Sequence, residues 1–139
     1  MDGTVTQVGH RVITASELAP PVGYAHAIAA APGRVVFLGG MTAQRQDGTI
    51  TGETMVEQFE LSVRNLNVAL RAAGGRPDHL VSLQIFVTDV EAYRTSLRPL
   101  GHVWRSQFGR HYPAMAVIGV RELLDPAAKV ELMGIAVVP

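Results

Sequence analysis

The sequence predicts an α+β fold in which one mixed β-sheet carries two helices on one face, in the order β-β-α-β-α-β-β. Three observations predict it. Apolar residues recur at spacings of three and four over two segments, 54–73 and 90–108, as on the buried face of a helix. Short runs of β-branched and small residues, bounded by turn residues, alternate with these segments and are typical of strands. Each helical segment has only one apolar face, which suits helices that pack on the same side of a sheet.

The composition indicates one globular domain over residues 1–139. A chain of 139 residues can bury a stable core without disulfide bonds or a structural metal ion. Hydrophobic residues make up 47% of the chain and charged residues 17%, which is the balance of a folded protein rather than a disordered one.

Charge and residue usage exclude several classes of function. The formal net charge is zero and there is no basic run, so the sequence predicts no nucleic-acid partner. There are no cysteines, which excludes disulfides and thiolate chemistry, and the histidines lack the spacing of a helical metal pair. No apolar run is long enough for a membrane span and the N-terminus has no signal pattern, so we predict no membrane segment and a cytoplasmic location.

The first part of the chain is predicted to be strands. Residues 11–14 are a short strand candidate, and residues 23–29 alternate until the turn dipeptide Pro32-Gly33. Residues 34–38 form the next strand, so a hairpin over 23–38 is predicted. Gly39-Gly40 end it, where they either form a bulge or let the backbone approach a ligand or another chain.

The middle of the chain contains the clearest helix. Thr54-x-x-Glu57 is a capping box at its start, and Gly74-Gly75 mark its end. Residues 80–89 return to the alternation of a strand. The following helical segment, 90–108, is interrupted by Pro99, which predicts either a kink or a new helix with proline in its first turn.

The last two predicted strands, 112–120 and 129–138, contain the residue that points to a site. Glu131 lies inside an otherwise apolar strand, where an ionised side chain is costly unless it has a partner or faces a cleft. If the two strands pair, Met115 and Glu131 approach each other, and we state this pairing as a hypothesis. The sheet face without helices needs a cover, for which the simplest candidate is another subunit, so we predict an oligomer.

The order and spacing of several short motifs resemble the Rid family, also called YjgF or reactive intermediate deaminase proteins. The resemblance begins near Pro21 and runs to the end of the chain. The motifs are Gly23-Tyr24-x-His26-Ala27, Val36-Phe37-Leu38-Gly39-Gly40, Gln58, Asn65-Leu66, Leu70-x-Ala72-Ala73-Gly74, Val87-Thr88-Asp89, Phe108 to Tyr112-Pro113-Ala114, and Val130-Glu131-x-x-x-Ile135-Ala136.

This resemblance implies a chorismate-mutase-like fold, a homotrimer whose sheets form a central barrel, and three small clefts between subunits. It also implies hydrolysis of reactive imines and enamines to a keto acid and ammonia, with no cofactor and a small metabolite as the partner. Members of this family are also labelled endoribonucleases, but nothing in the sequence supports RNA binding.

The resemblance further implies the site residues. Glu131 matches the family's cleft glutamate, which positions or activates water, and Tyr24 matches its cleft tyrosine, so these two are the predicted catalytic residues. The predicted substrate-binding residues are Leu38, Gly39, Gly40, Arg98, Met115, Val117 and Met133. The alternative for Glu131 is a structural carboxylate that pairs with an arginine across the trimer.

Met115 departs from the family pattern. The deaminating members have an arginine at this position, and its guanidinium binds the substrate carboxylate bidentately. Arg98 and Arg105 are the candidates to replace it, and Arg98 is preferred because it falls near the family's cleft asparagine. We therefore expect an imine or enamine substrate other than the standard 2-aminoacrylate. The alternative is a non-catalytic protein that binds or senses a small metabolite.

Overall fold

The computed structural model describes residues 2–5 and 9–139. A short 3-10 turn, Pro77–His79, leads into the fifth strand. Within the described residues the elements are β1 (Asp2–Val5), β2 (Arg11–Thr14), β3 (Ala27–Ala29), β4 (Arg34–Met41), α1 (Met55–Ala72), β5 (Leu80–Val87), α2 (Val90–Arg94), α3 (Leu97–Phe108), β6 (Ala114–Gly119) and β7 (Val130–Val138).

The described strands form two sheets. The larger sheet has the order β4-β7-β5-β6, in which β7 is antiparallel to both its neighbours and β5 is parallel to β6. The smaller sheet is the antiparallel meander β1-β2-β3. The mixed sheet confirms the predicted α+β fold.

Helices α1 and α3 pack on one face of the larger sheet and close the core. Alternate residues of β5, such as Leu83 and Ile85, point toward the helices because successive side chains of a strand face opposite sides. They belong to one buried cluster with Phe59 and Leu66 of α1 and Trp104 of α3. The prediction that both long helices lie on the same side of the sheet is confirmed.

Local signals set the helix limits. The hydroxyl of Thr54 accepts a hydrogen bond from the Glu57 backbone N–H at 3.1 Å, which is the N-cap half of the predicted capping box, and it donates one to the Glu57 carboxylate. Pro99 lies in the first turn of α3, a separate helix from α2, so the prediction of a new helix is correct and no kink is needed. None of the described helices is long and apolar enough to cross a membrane.

The hairpin predicted over residues 23–38 is wrong. β3 pairs with β2, whereas β4 pairs with β7 in the other sheet. The link between them is held at the end of β7: the ring of His10 accepts a hydrogen bond from the Ala31 N–H and donates one to the Val137 carbonyl, both at 2.9 Å. The backbone at Gly33 also lies so close to Val138 that a Cβ there would be 2.5 Å from the Val138 carbonyl oxygen. The turn dipeptide therefore carries the chain from one sheet to the other.

The hypothesis that the last two strands pair is also wrong. β5 lies between β6 and β7, with Leu83 beside Met115 and Phe86 beside Glu131. Residues that sit opposite each other in a sheet point to the same face. Met115 therefore points to the helix face with Leu83, and Glu131 points to the opposite face with Phe86. The physical reason is that β5 buries its apolar face against the helices and pairs with both β6 and β7. The side chains of these two strands therefore follow the alternation of β5.

The face of the larger sheet opposite the helices is open and partly apolar. Phe37 in β4 has 76% of its surface exposed, and Val35 beside it is also exposed. Met133 of β7 and Ile118 of β6 are exposed as well. This is the face for which the sequence predicts a second subunit as the cover.

Candidate functional site

A cleft of about 530 Å³ opens between α3, the edge strand β6 and the loop that precedes β3. This volume is in the range of small-molecule sites, roughly 300–1,000 Å³. Phe59 of α1 and Leu100 of α3 are fully buried and form part of its floor. The ring of Tyr24 and the side chains of Met115 and Val117 line the walls.

The walls of the cleft are held by long-range hydrogen bonds. The Ala25 backbone N–H donates to the Pro113 carbonyl at 3.0 Å, which fixes the Tyr24 loop against the start of β6. The indole N–H of Trp104 donates to the His111 carbonyl at 2.9 Å, which joins α3 to the segment before β6. The shape of the cleft is therefore set by the packing of the whole domain.

The lining of the cleft is aromatic, with a single formal charge. The rings of Tyr24, Tyr93, Trp104 and Tyr112 line it, and Arg105 is the only charged lining residue within the described part of the chain. Burial raises the pKa of the Tyr93 hydroxyl above its ordinary value, so this group stays protonated and neutral near pH 7. Over residues 2–5 and 9–139, no carboxylate lines the cleft. Such a site suits a ligand with a flat apolar body and a negative charge.

The predicted site residues fall into two groups on opposite faces of the larger sheet. Tyr24, Met115 and Val117 line the cleft on the helix side. Arg98, in the first turn of α3, is exposed and does not line the cleft, although the preceding Leu97 does. Arg105, the second arginine weighed from the sequence, is the one that lines it.

The second group surrounds Glu131 on the open face. β4 and β7 change register between Leu38 and Met41, so the paired glycines form a bulge opposite β7. At Gly40 the backbone comes so close to Glu131 that a Cβ would lie 2.5 Å from its Oε2. The side chain of Leu38 is buried in the core, so only its backbone is available to a ligand, whereas Met133 is exposed beside Glu131.

Glu131 has no ionic partner within the described part of its own chain. The carboxylate is half-buried, and among the described residues it forms neither an ion pair nor a hydrogen bond; the one ion pair there joins Arg94 to Glu91 at 3.4 Å. The described part of the chain also holds no cluster of three or more histidine, aspartate or glutamate side chains that suits a metal ion. The carboxylate of Glu131 and the backbone of the bulge lie next to each other on this face.

Sequence reasoning missed the aromatic lining of the cleft. Trp104 is 4% exposed and occupies the core as its helical spacing indicates, but one edge of the same side chain also forms a cleft wall. Tyr93 and Tyr112 lie on two other elements, and only the tertiary structure brings them to the same cavity. A sequence feature that could have indicated the cleft wall on α3 was Gly101. It is a glycine inside a helix, four residues before Arg105 and on the same helix face.

Comparison with known proteins decides the family. Residues 14–138 match the family model described as Endoribonuclease L-PSP, which covers nearly the whole chain. The chain belongs to the Rid family, also known as the YjgF or L-PSP family. The family resemblance deduced from the sequence motifs is therefore confirmed.

Solved Rid structures share the fold at low sequence identity. YyfB from Yersinia pestis, described as a protein of unknown function of the conserved Rid family, is 26% identical, with 93% of this chain and 98% of that chain covered and a TM-score of 0.84. Rv2704 from Mycobacterium tuberculosis, a member of the YjgF/YER057c/UK114 family, is 28% identical over 84% of this chain and 88% of its own, with a TM-score of 0.62.

A curated Rid relative is the protein mmf2 of Schizosaccharomyces pombe, whose name describes it as mitochondrial. It is 29% identical over 106 residues, which are 75% of this chain and 80% of that protein. The cytoplasmic location predicted for this chain stays a prediction. At these identities the fold of the Rid family is shared, and the substrate has to be argued from the residues of this chain.

Proposed function

We propose that this Rid protein is a cofactor-free hydrolase that acts on a small reactive imine or enamine. The observation that carries the proposal is the carboxylate of Glu131, which has no partner among the described residues and lies half-buried against Gly40 at the position of the Rid cleft glutamate. An ionisable group in this setting is expensive to keep without a partner, and such groups concentrate at functional sites.

The proposed active site is formed by two subunits of a homotrimer. Within one chain, Tyr24 and Met115 lie on the helix side of the larger sheet and Glu131 lies on the open side, so the sheet separates them. A neighbouring subunit that covers the open face would bring its own cleft to Glu131. The exposed side chains of Val35 and Phe37 give that face the apolar surface that a permanent interface requires.

The proposed reaction needs one water and one proton relay. Glu131 accepts a proton from the water that adds to the carbon of the C=N bond, and the protonated carboxyl returns this proton to the nitrogen, which gives a carbinolamine. Glu131 then accepts the hydroxyl proton of this intermediate and passes it to the amino group, which leaves as ammonia, so that imine and water give keto compound and ammonia. General acid–base catalysis by a positioned carboxylate contributes about 10²–10⁴-fold in rate. The ring of Tyr24 and the backbone of the Gly39-Gly40 bulge orient the substrate.

A non-catalytic function is the second candidate, and Met115 is the observation that favours it. With a thioether where the deaminating relatives have a guanidinium, β6 offers no charge to a substrate carboxylate. A protein with this cleft would still bind a small metabolite and respond to it. The two candidates differ in whether Glu131 affects turnover or only affinity.

Glu131→Gln separates the two candidates. Imines are generated in situ from amino acids by an amino-acid oxidase, and ammonia and keto acid are measured above the spontaneous rate. We expect the native protein to accelerate release and Glu131→Gln to lose at least about a hundredfold of that acceleration, because the amide cannot accept a proton. Glu60→Gln, at an exposed position of α1, is the matched control.

Met115→Arg is measured in the same series. Full activity of Glu131→Gln would remove this residue from the mechanism. A native protein that is inactive on every imine, together with activity gained in Met115→Arg, would instead favour the binding function.

A further inference from the structure

The cleft beside β6 combines a large aromatic lining with one unpaired positive charge. Trp104, Tyr24 and Tyr112 provide flat apolar surface, and of the described residues that line the cleft only Arg105 is charged. Among the described residues, Arg105 forms no ion pair and no hydrogen bond through its side chain. A guanidinium at an aromatic cleft without a carboxylate is available to an anionic ligand.

The position of the guanidinium is set by a glycine in the middle of α3. Arg105 lies four residues after Gly101, and such pairs face each other on a helix. A Cβ at Gly101 would lie 3.2 Å from the Arg105 Nη1, which is tighter than normal packing. Gly101 and Arg105 both line the cleft. The absence of a side chain at Gly101 therefore leaves room for the guanidinium to lie along the cleft wall.

A purely structural explanation for an arginine at position 105 is its place in the last turn of α3, where a cation interacts favourably with the helix dipole. It does not account for Gly101, because glycine is less favourable than alanine inside a helix.

We propose that Arg105 binds the carboxylate of a ligand whose aromatic or bulky apolar body packs between Trp104 and Tyr24. The guanidinium thus acts from α3 in place of the arginine that Met115 replaces on β6. As a substrate class, this rests on the proposed function and assigns the enzyme to imines of aromatic or large apolar 2-amino acids. The binding site itself does not require catalytic turnover, because it depends only on the cleft and its charge.

The test uses 3-phenylpropionate and its neutral counterpart, 3-phenylpropanamide, as probes. Trp104 is the single tryptophan of the chain and lines the cleft, so its fluorescence reports binding, and calorimetry provides a second measurement. We expect the native protein to bind the carboxylate roughly ten- to a hundredfold more tightly than the amide, the range given by a charge-assisted hydrogen bond. Arg105→Gln is expected to abolish this preference and leave the affinity for the amide unchanged.

Two further variants make the test specific. Arg110→Gln removes the same charge from an exposed position just after α3 that does not line the cleft, and it is expected to keep the preference. Arg105→Lys is expected to keep part of it, since the charge remains but the planar fork is lost. Circular dichroism checks that each variant is folded.

The proposal is overturned if neither probe binds, if the native protein does not distinguish them, or if Arg105→Gln keeps the preference. It is also overturned if Arg98→Gln loses the preference instead, because the anion would then be bound at the start of α3. A protein that shows the Arg105-dependent preference but no imine hydrolysis would retain this binding site and lose the proposed function. The two failures are thus distinguishable.

Discussion

At the scale of single residues, Gly40 determines where the Glu131 carboxylate lies. Gly40 does not have a positive φ, so a glycine is not needed there for its backbone conformation. It is needed because it leaves room for the Glu131 carboxylate. In Gly40→Ala the new methyl group would displace the carboxylate, because it would lie 2.5 Å from Oε2 and 2.8 Å from Cδ. We expect kcat for imine hydrolysis to fall about tenfold or more with little change in KM or Tm, since a flexible side chain can move aside cheaply.

A crystal structure of the variant checks the cause. Gly39→Ala is the structural control, because a Cβ at position 39 meets nothing within 4 Å and should leave the Glu131 carboxylate in place. If Gly40→Ala keeps both the native position of this carboxylate and the native rate, the positioning role of Gly40 is wrong.

At the scale of elements, the turn Pro77–His79 that leads into β5 makes stability depend on pH. Burial, followed by the neighbouring charges of Arg76 and His10, holds the pKa of His79 below its usual 6.5, and the ring Nδ1 accepts a hydrogen bond from the Arg76 N–H at 3.1 Å. The unfolded chain then binds more protons than the folded one below that value, so stability is complete above about pH 6.5 and is lost as the pH falls.

We expect Tm to decrease between pH 7.5 and pH 5 and His79→Gln to flatten this decrease, because glutamine does not titrate. Thermal unfolding at several pH values measures it. His102→Gln, at an exposed position of α3, serves as the control and should keep the native slope. An unchanged slope in His79→Gln would show that other groups cause the dependence.

At the scale of the whole molecule, the open face of the larger sheet is where the proposed trimer forms. Phe37 is 76% exposed in one chain, and burying a phenylalanine contributes about 1.5–3 kcal/mol. Phe37→Asp is expected to convert the trimer to monomers, since three charges would otherwise be buried in the same interface. Its circular dichroism should not change, because the Phe37 side chain lies outside the core.

Light scattering and sedimentation measure the mass. Val68→Asp, at another apolar and exposed position, on the outer surface of α1, should leave the mass at that of the trimer. A native protein that is monomeric at micromolar concentration would contradict the proposed assembly, and with it a site shared between subunits.

Sequence reasoning worked best where a few neighbouring residues decide the structure. Thr54 and Glu57 bond to each other across one helical turn, and Pro99 starts α3, so both signals could be read directly. Strand pairing was predicted poorly, because the partner of a strand is set by packing with distant residues. β4 and β7 were each expected to pair with the strand adjacent in sequence, and both pair elsewhere.

The sequence by itself determined the family, the α+β class, the helices and the unusual carboxylate of Glu131, since these follow from local periodicity and from motifs in a fixed order. Only the tertiary structure decided which residues share a site. It placed Met115 and Glu131 on opposite faces of the sheet, and it placed Arg105 rather than Arg98 at the aromatic cleft. The physical reason is that sheet order and helix rotation depend on the packing of the whole core, which no local pattern records.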